Sequence, residues 1–172
     1  MGTKLRKRTF SWEDPLQGAK EAMTMAGADY FQAMNDGKLP LPPLLHTLNF
    51  KVESIEKGSA VFVFEPQEFH YNPIGTVHGG VISAILDSAM GCSIHSLLAA
   101  RTGYTTLELK INFLKAITVK SGLLRAVGKV IHFGSRTALV EAQLTDQNGT
   151  IFAHGVSTCL IFDFSQKGGN GQ

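Results

Sequence analysis

The chain has 172 residues, 44% of them hydrophobic and 17% charged, with a formal net charge of +2. That length fits one domain with a short appendage, and eleven phenylalanines at so low a net charge exclude a chain that stays unfolded. Two cysteines, Cys92 and Cys159, are too few for a disulfide framework or a cysteine-built zinc site, so a reducing, cytoplasmic setting is expected.

The positive charge is local. Lys4, Arg6, Lys7 and Arg8 supply four of the 16 cations, and the remaining 12 face 14 acids, a balance of −2 for the body. By charge the body is no nucleic-acid binder. The basic start reads as a solvated tail, and no apolar secretory stretch follows it.

Residues 11–37 are predicted helical. Ser11 and Asp14 are cap candidates, Pro15 suits a first turn, Gly37 suits a stop, and Ala19, Ala22, Met23, Ala26, Tyr30 and Phe31 recur at helical spacing. The boundaries that follow are 1–38 for a basic tail and helical extension, 39–164 for the main domain and 165–172 for a disordered tail. Leu39-Pro40-Leu41-Pro42-Pro43 is expected to be an extended connector. From His46 the period becomes two: Leu48, Phe50 and Val52 alternate with polar residues, and Ala60, Phe62 and Phe64 follow the Lys57-Gly58 turn, a predicted hairpin buried on both faces. A loop over residues 70–77 is marked by Asn72-Pro73 and Gly75.

Residues 78–100 are predicted as one long helix of roughly 33 Å. Val81, Ile82, Ile85, Leu86, Ala89, Met90, Ile94, Leu97 and Leu98 cover most of its circumference, which marks a helix buried in a fold; Asp87 near its middle argues against a membrane span. Four strand-like runs follow, 104–117, 121–132, 135–146 and 150–163, with Asn148-Gly149 as a hairpin signal. Short connections predict an antiparallel meander. The expected class is α+β, a central helix wrapped by an antiparallel sheet.

One stripe of the long helix is not apolar. Gly80, Ser83, Asp87 and Gly91 are spaced three and four apart and share a face. Small residues there either let the helix pack closely or leave room for a ligand. A carboxylate on that face, with no cation in the helix before Arg101, favours the second reading, since a buried charge is costly unless paired or used. At the helix start, His78-Gly79-Gly80 offers backbone N–H groups that lack helical partners and carry partial positive charge, which can polarise a carbonyl and stabilise an oxyanion. Gly79 and Asp87 lie eight residues apart, roughly 12 Å along the axis, too far to act on one carbonyl within one chain. If both act together they come from two antiparallel helices across a twofold axis, which predicts a dimer with two shared sites.

Other constellations carry less. Cys92 and His95 lack further ligands at metal spacing, so no metal is expected. Cys92 in an apolar helix reads as inert, Ser83 as packing rather than a nucleophile, and His132 and His154 as strand residues.

The segments Asn72-Pro73-Ile74-Gly75-Thr76-Val77-His78-Gly79-Gly80, Leu86-Asp87-Ser88-Ala89-Met90-Gly91, Thr105 to Leu114, Gly134-Ser135-Arg136 and Gly149 to Thr158 occur in the order and spacing of a known family. Over residues 39 to 163 the chain resembles the hotdog-fold acyl-CoA thioesterases of the phenylacetic-acid-degradation (PaaI-like) type. The resemblance implies hydrolysis of an acyl-CoA to free acid and CoA without metal or redox cofactor. It implies Asp87 as the carboxylate that activates water or attacks the thioester, the Gly79 N–H as oxyanion donor, and Asn72 and His78 as shapers of that pocket. Thr106, with Thr105 as neighbour, falls where the family carries a water-positioning hydroxyl. Asp87 and Thr106 would face Asn72 and Gly79 of the other chain, in a homodimer or a tetramer of two dimers. Gly80, Ser83, Thr105, Met90 and Arg136 are expected at the substrate, Arg136 toward the CoA phosphates. Met90, Ile94 and the N-terminal extension are the candidates for setting acyl size.

Two rival enzyme classes share the fold, and neither pattern is met. In a dehydratase, His70 could stand for the family histidine, but the position fourteen residues on is Ala84; in a hydratase, the position five after Asp87 is Cys92 rather than His. A non-catalytic acyl-CoA-binding protein of the same fold is separated only by activity.

Overall fold

The computed structural model describes residues 4–164. Asp14 caps α1 (Pro15–Thr24) by accepting the Leu16 N–H at 2.9 Å, and Pro15 sits where a missing N–H costs nothing. The single helix expected over 11–37 is two helices. Met25 and Ala26 are extended, and α2 (Gly27–Asn35) starts afresh, docked on the main domain. The Gly27 N–H donates to the Leu98 carbonyl at 2.9 Å, and a Cβ at Gly27 would overlap the His95 carbonyl. A continuous helix could not make that contact.

The proline-rich connector is extended only as far as Pro42. Pro43 opens a short helix, α3 (Pro43–Leu48), which takes His46 and Leu48 out of the expected strand. Asn49 then turns the chain in the left-handed region, at φ 53°, into β1 (Phe50–Glu56). The basic start is partly docked rather than free. The Arg8 guanidinium donates to the carbonyls of Thr47 (2.6 Å) and His46, which end α3 without helical partners, and stacks 4.2 Å from the Phe69 ring centroid. Arg6 pairs with Glu68.

β1 and β2 (Ser59–Phe64) form the expected hairpin, with Gly58 at φ +80° in the turn. Ala60, Phe62 and Phe64 are buried while Val61 and Val63 are half-buried, so one face packs on the core and the other is partly covered. α4 (Gly79–His95) is shorter than expected, 17 residues or about 25 Å. Ile85, Leu86, Ala89, Met90 and Ile94 have no exposed surface, and with Phe50, Phe62 and Phe64 they form the centre of the core.

β3 (Thr102–Phe113), β4 (Leu124–Phe133), β5 (Thr137–Thr145) and β6 (Ile151–Asp163) complete a six-stranded antiparallel sheet of order β1-β2-β4-β5-β6-β3. The meander therefore holds for β4, β5 and β6 only. β3 crosses to the far edge and pairs with β6 from Thr102↔Asp163 to Phe113↔Ala153. The cause is the link of residues 114–123, which contains a 3-10 turn at Val119–Ser121 and exceeds hairpin length. Val52 of β1 and Tyr104 of β3, from opposite edges, line one cavity beside α4, so the sheet wraps the helix. Among the described residues no helix is long and apolar enough to cross a membrane. The expected disordered tail over 165–172 lies outside the described residues.

Candidate active site

The start of α4 is held by a small polar framework. His70 is 3% exposed, and both ring nitrogens are occupied: Nδ1 accepts the Gln67 N–H and Nε2 donates to the Leu48 carbonyl, each at 2.9 Å. Burial holds its pKa below the ordinary imidazole value, so the ring stays neutral. Phe64 and Phe69 pack on the ring, and the His70 carbonyl accepts the His78 N–H at 2.9 Å. His70 is thus a post under the site with no nitrogen left for proton transfer, which further weakens the dehydratase comparison.

Asn72 folds the loop before the helix. Its Oδ1 accepts the N–H groups of Ile74 and Thr76 at 3.1 Å, its Nδ2 donates to Thr76 Oγ1 at 2.9 Å, and Gly75 takes φ +80°. His78 caps α4: its Nδ1 accepts the Gly80 N–H at 2.9 Å, and its carbonyl accepts Val81 (3.0 Å) and Ile82 (3.4 Å). Of the four first-turn donors only the Gly79 N–H has no acceptor among the described residues. Gly79 borders a cleft of about 300 Å³, with Asn72, Thr76, Ile82, Phe113 and Lys115 in its walls.

The carboxylate lies farther along the same helix. Asp87 is half-buried, and Thr106 Oγ1 of β3 donates to its Oδ1 at 3.1 Å. Burial raises the Asp87 pKa above the ordinary 3.8, and the Thr106 hydrogen bond opposes that rise. Thr106 rather than Thr105 faces α4, because alternate residues of a strand point to opposite sides and it is Thr106 that bonds Asp87. One turn beyond Asp87, a Cβ at Gly91 would overlap the Tyr104 hydroxyl, so the small residue makes room for that ring.

Within the chain the structure brings Asn72, His78 and Gly79 together, and separately Asp87 and Thr106. Eight residues of helix keep the two groups about 12 Å apart. Gly80 is exposed and Ser83 half-buried, on the stripe between them. Met90 and Ile94 face the core instead, Met90 beside Gly155. Arg136 is exposed in the β4–β5 turn, where its carbonyl accepts the Ile161 N–H at 2.8 Å, and Ile161 pairs with Tyr104 in β3. Cys92 is desolvated, its thiol pushed up to about 12, and His154 lies 3.6 Å from Glu141. The residues missed in the sequence are Tyr104 and Lys115. Tyr104 shares a face with Thr106 by the period of two, a signal that was available.

Residues 74–153 match the thioesterase superfamily. A 1,4-dihydroxy-2-naphthoyl-CoA hydrolase of Listeria monocytogenes is 30% identical over 118 residues, 69% of this chain and 93% of that protein. The chain belongs to the thioesterase superfamily. A phenylacetic acid degradation-related protein of Ralstonia eutropha superposes on this thioesterase with a TM-score of 0.69 at 28% identity, covering 76% of this chain and 98% of that one. The smu.793 protein of Streptococcus mutans, solved bound to acetyl CoA, does so with a TM-score of 0.61 at 28% identity, covering 67% and 90%. The fold is the hotdog fold and the protein is a thioester hydrolase, as the motif resemblance implied.

Proposed function

We propose that this thioesterase hydrolyses an acyl-CoA at two equivalent sites, each shared between two copies of the chain. The observation that carries the reading is the pairing of one open amide, Gly79 N–H, with one half-buried carboxylate, Asp87, on the same rod but out of each other's reach. Antiparallel packing of two α4 helices places the amide of one copy beside the carboxylate of the other.

In such a site the thioester carbonyl accepts the Gly79 N–H, where the helix dipole adds positive potential. Thr106 occupies one oxygen of Asp87, leaving the other to accept a proton from water. The water oxygen adds to the carbonyl carbon, its proton passes to Asp87, and the negative charge gathers on the oxygen held by Gly79. Collapse expels the CoA sulfur, which takes the proton from Asp87. Direct attack by Asp87 followed by hydrolysis uses the same groups. Asn72 and His78 act by holding the loop and helix start, and Arg136 is the cation proposed for the CoA phosphates. The acetyl CoA in the S. mutans relative supports the substrate class.

The edge strand supports the second copy. β3 is twelve residues long, pairs on one side only, and exposes Leu107, Leu109 and Phe113 at 58%, 36% and 54%. A long apolar edge is a hazard unless covered. Two such dimers joining into a tetramer belong to the same proposal.

The test is complementation. Asp87→Asn removes the base. Gly79→Pro removes the donor while keeping a residue suited to a first helical turn, and His78 is already extended, as a residue before proline prefers. Each variant alone should be nearly inactive in thiol release from acyl-CoAs. Co-expressed, half of the dimers carry one intact site, so about a quarter of wild-type activity returns. No recovery would place both groups within one chain and overturn the shared site. CoA binding by the wild type without thiol release would instead favour a non-catalytic binding protein.

A further inference from the structure

A second cavity, about 180 Å³, lies between α2 and the C-terminal half of α4. Tyr30, Phe31 and Met34 of α2 form one wall, and Cys92, His95 and Tyr104 of the main domain the opposite one. Tyr30 stacks on the His95 ring at 5.2 Å and 18°, and Phe31 meets the same ring edge-on at 5.1 Å. It shares no residue with the cleft at Gly79. No charge faces the interior, since burial keeps the Cys92 thiol protonated and holds the His95 pKa below its ordinary value.

The cavity lies on the same stretch of α4 and β3 as the carboxylate. Tyr104 and Thr106 are two residues apart on β3 and share a face. Thr106 binds Asp87, and the Tyr104 hydroxyl covers Gly91, four residues after Asp87. The first α4 residue in the chamber wall is Cys92, five residues or roughly 7.5 Å along the axis beyond Asp87. α2 belongs to the N-terminal extension and lies outside the residues 74–153 that match the thioesterase superfamily.

We infer that this chamber receives the far end of the acyl group, and that Tyr30, Phe31 and Met34 of the N-terminal extension set the size it accepts. The inference rests on the Asp87 reading given under Proposed function. A cavity of about 150 Å³ lined by apolar side chains holds one benzene ring. A chamber of this volume therefore suits a compact apolar end, one ring or about six chain carbons, and rejects long chains. An alkyl and an aryl end share that chemistry, and the test separates them.

The experiment compares kcat/KM for acetyl-, hexanoyl-, benzoyl- and dodecanoyl-CoA in the wild type, Phe31→Trp and Met34→Ala. The wild type should prefer hexanoyl or benzoyl over both other substrates. Phe31→Trp, which fills the chamber, should lower the preferred substrate at least tenfold relative to acetyl-CoA; loss of hexanoyl marks an alkyl occupant and loss of benzoyl an aryl one. Met34→Ala should raise dodecanoyl relative to hexanoyl by about tenfold, the range expected for a few methylenes. Ratios on one preparation do not depend on how much of a variant folds. Substrate ratios unchanged in both variants, with hydrolysis still abolished by Asp87→Asn, overturn the chamber alone. If the wild type releases no thiol, or Asp87→Asn leaves release unchanged, the Asp87 reading falls and the inference with it.

Discussion

The two halves of α4 solve different problems. Its first turn is built from backbone: Gly79 and Gly80 with the loop folded by Asn72, the His78 cap and the buried His70 post, which together leave the Gly79 N–H as the one first-turn donor without an acceptor among the described residues. Its second half is built from side chains: a half-buried carboxylate held by Thr106, then a ring of aromatic residues. An amide donor exists wherever a helix starts and needs only conformation to be aimed. A carboxylate base needs desolvation and an exact chemical group. Apart from the Gly79 N–H itself, changes in the first half should therefore act through folding, and changes in the second through chemistry at an intact fold.

The largest effect should come from Asp87→Asn. It is nearly isosteric, so the melting temperature should move little while thiol release falls several hundred-fold or more, about 4 kcal/mol at the transition state. A rate equal to wild type breaks the comparison, because the second half would then hold no essential chemistry. Next is His70→Ala, which frees the Gln67 N–H and the Leu48 carbonyl and leaves a hole between Phe64 and Phe69. It should cost about 2–3 kcal/mol in urea unfolding. An inactive variant of unchanged stability would show that His70 works as chemistry after all.

Thr106→Val sharpens the second half. To act as the proposed base Asp87 must be ionised, and burial has raised its pKa, so activity should fall with decreasing pH at a value above that of an ordinary aspartate. The Thr106 hydrogen bond favours the charged form, so its loss should move this acidic limb to still higher pH and lower kcat about tenfold. A pH profile identical to wild type would mean that Thr106 does not hold the carboxylate in the working enzyme.

Much of this architecture is local and was legible. The apolar circumference of α4, the period of two in β2 and the Asp146–Gly149 turn each follow from residues close in the chain. The order of the sheet does not: β3 pairs with β6 across some forty residues, and only the length of the 114–123 link hints that it cannot turn back on β4. The break at Met25 and Ala26 is likewise tertiary, because Gly27 stops there to meet Leu98 and His95. Among the candidate site residues, Asp87 and Gly79 stood out by type and spacing, whereas Thr106 was named only through the family resemblance. Met90 did not fit its expected place, since a helix apolar on nearly every side does not reveal which side the core takes; Met90 turned inward and Cys92 and His95 toward the cavity.

The smallest effect tests how far the framework of the first half extends. Arg8 was expected in solvent, yet it bonds the carbonyls of His46 and Thr47 and stacks on Phe69, which packs on His70 at 4.2 Å. Arg8→Ala should therefore cost about 1 kcal/mol, the scale of a partly exposed charged hydrogen bond with a cation–π contact. Arg8→Lys should recover only part of it, because an ammonium cannot bridge two carbonyls with a planar fork. Both should leave the Asp87-dependent pH profile in place, since Arg8 reaches the site only through the His70 post. A stability equal to wild type in Arg8→Ala would end the framework at His70 and return the basic segment to solvent.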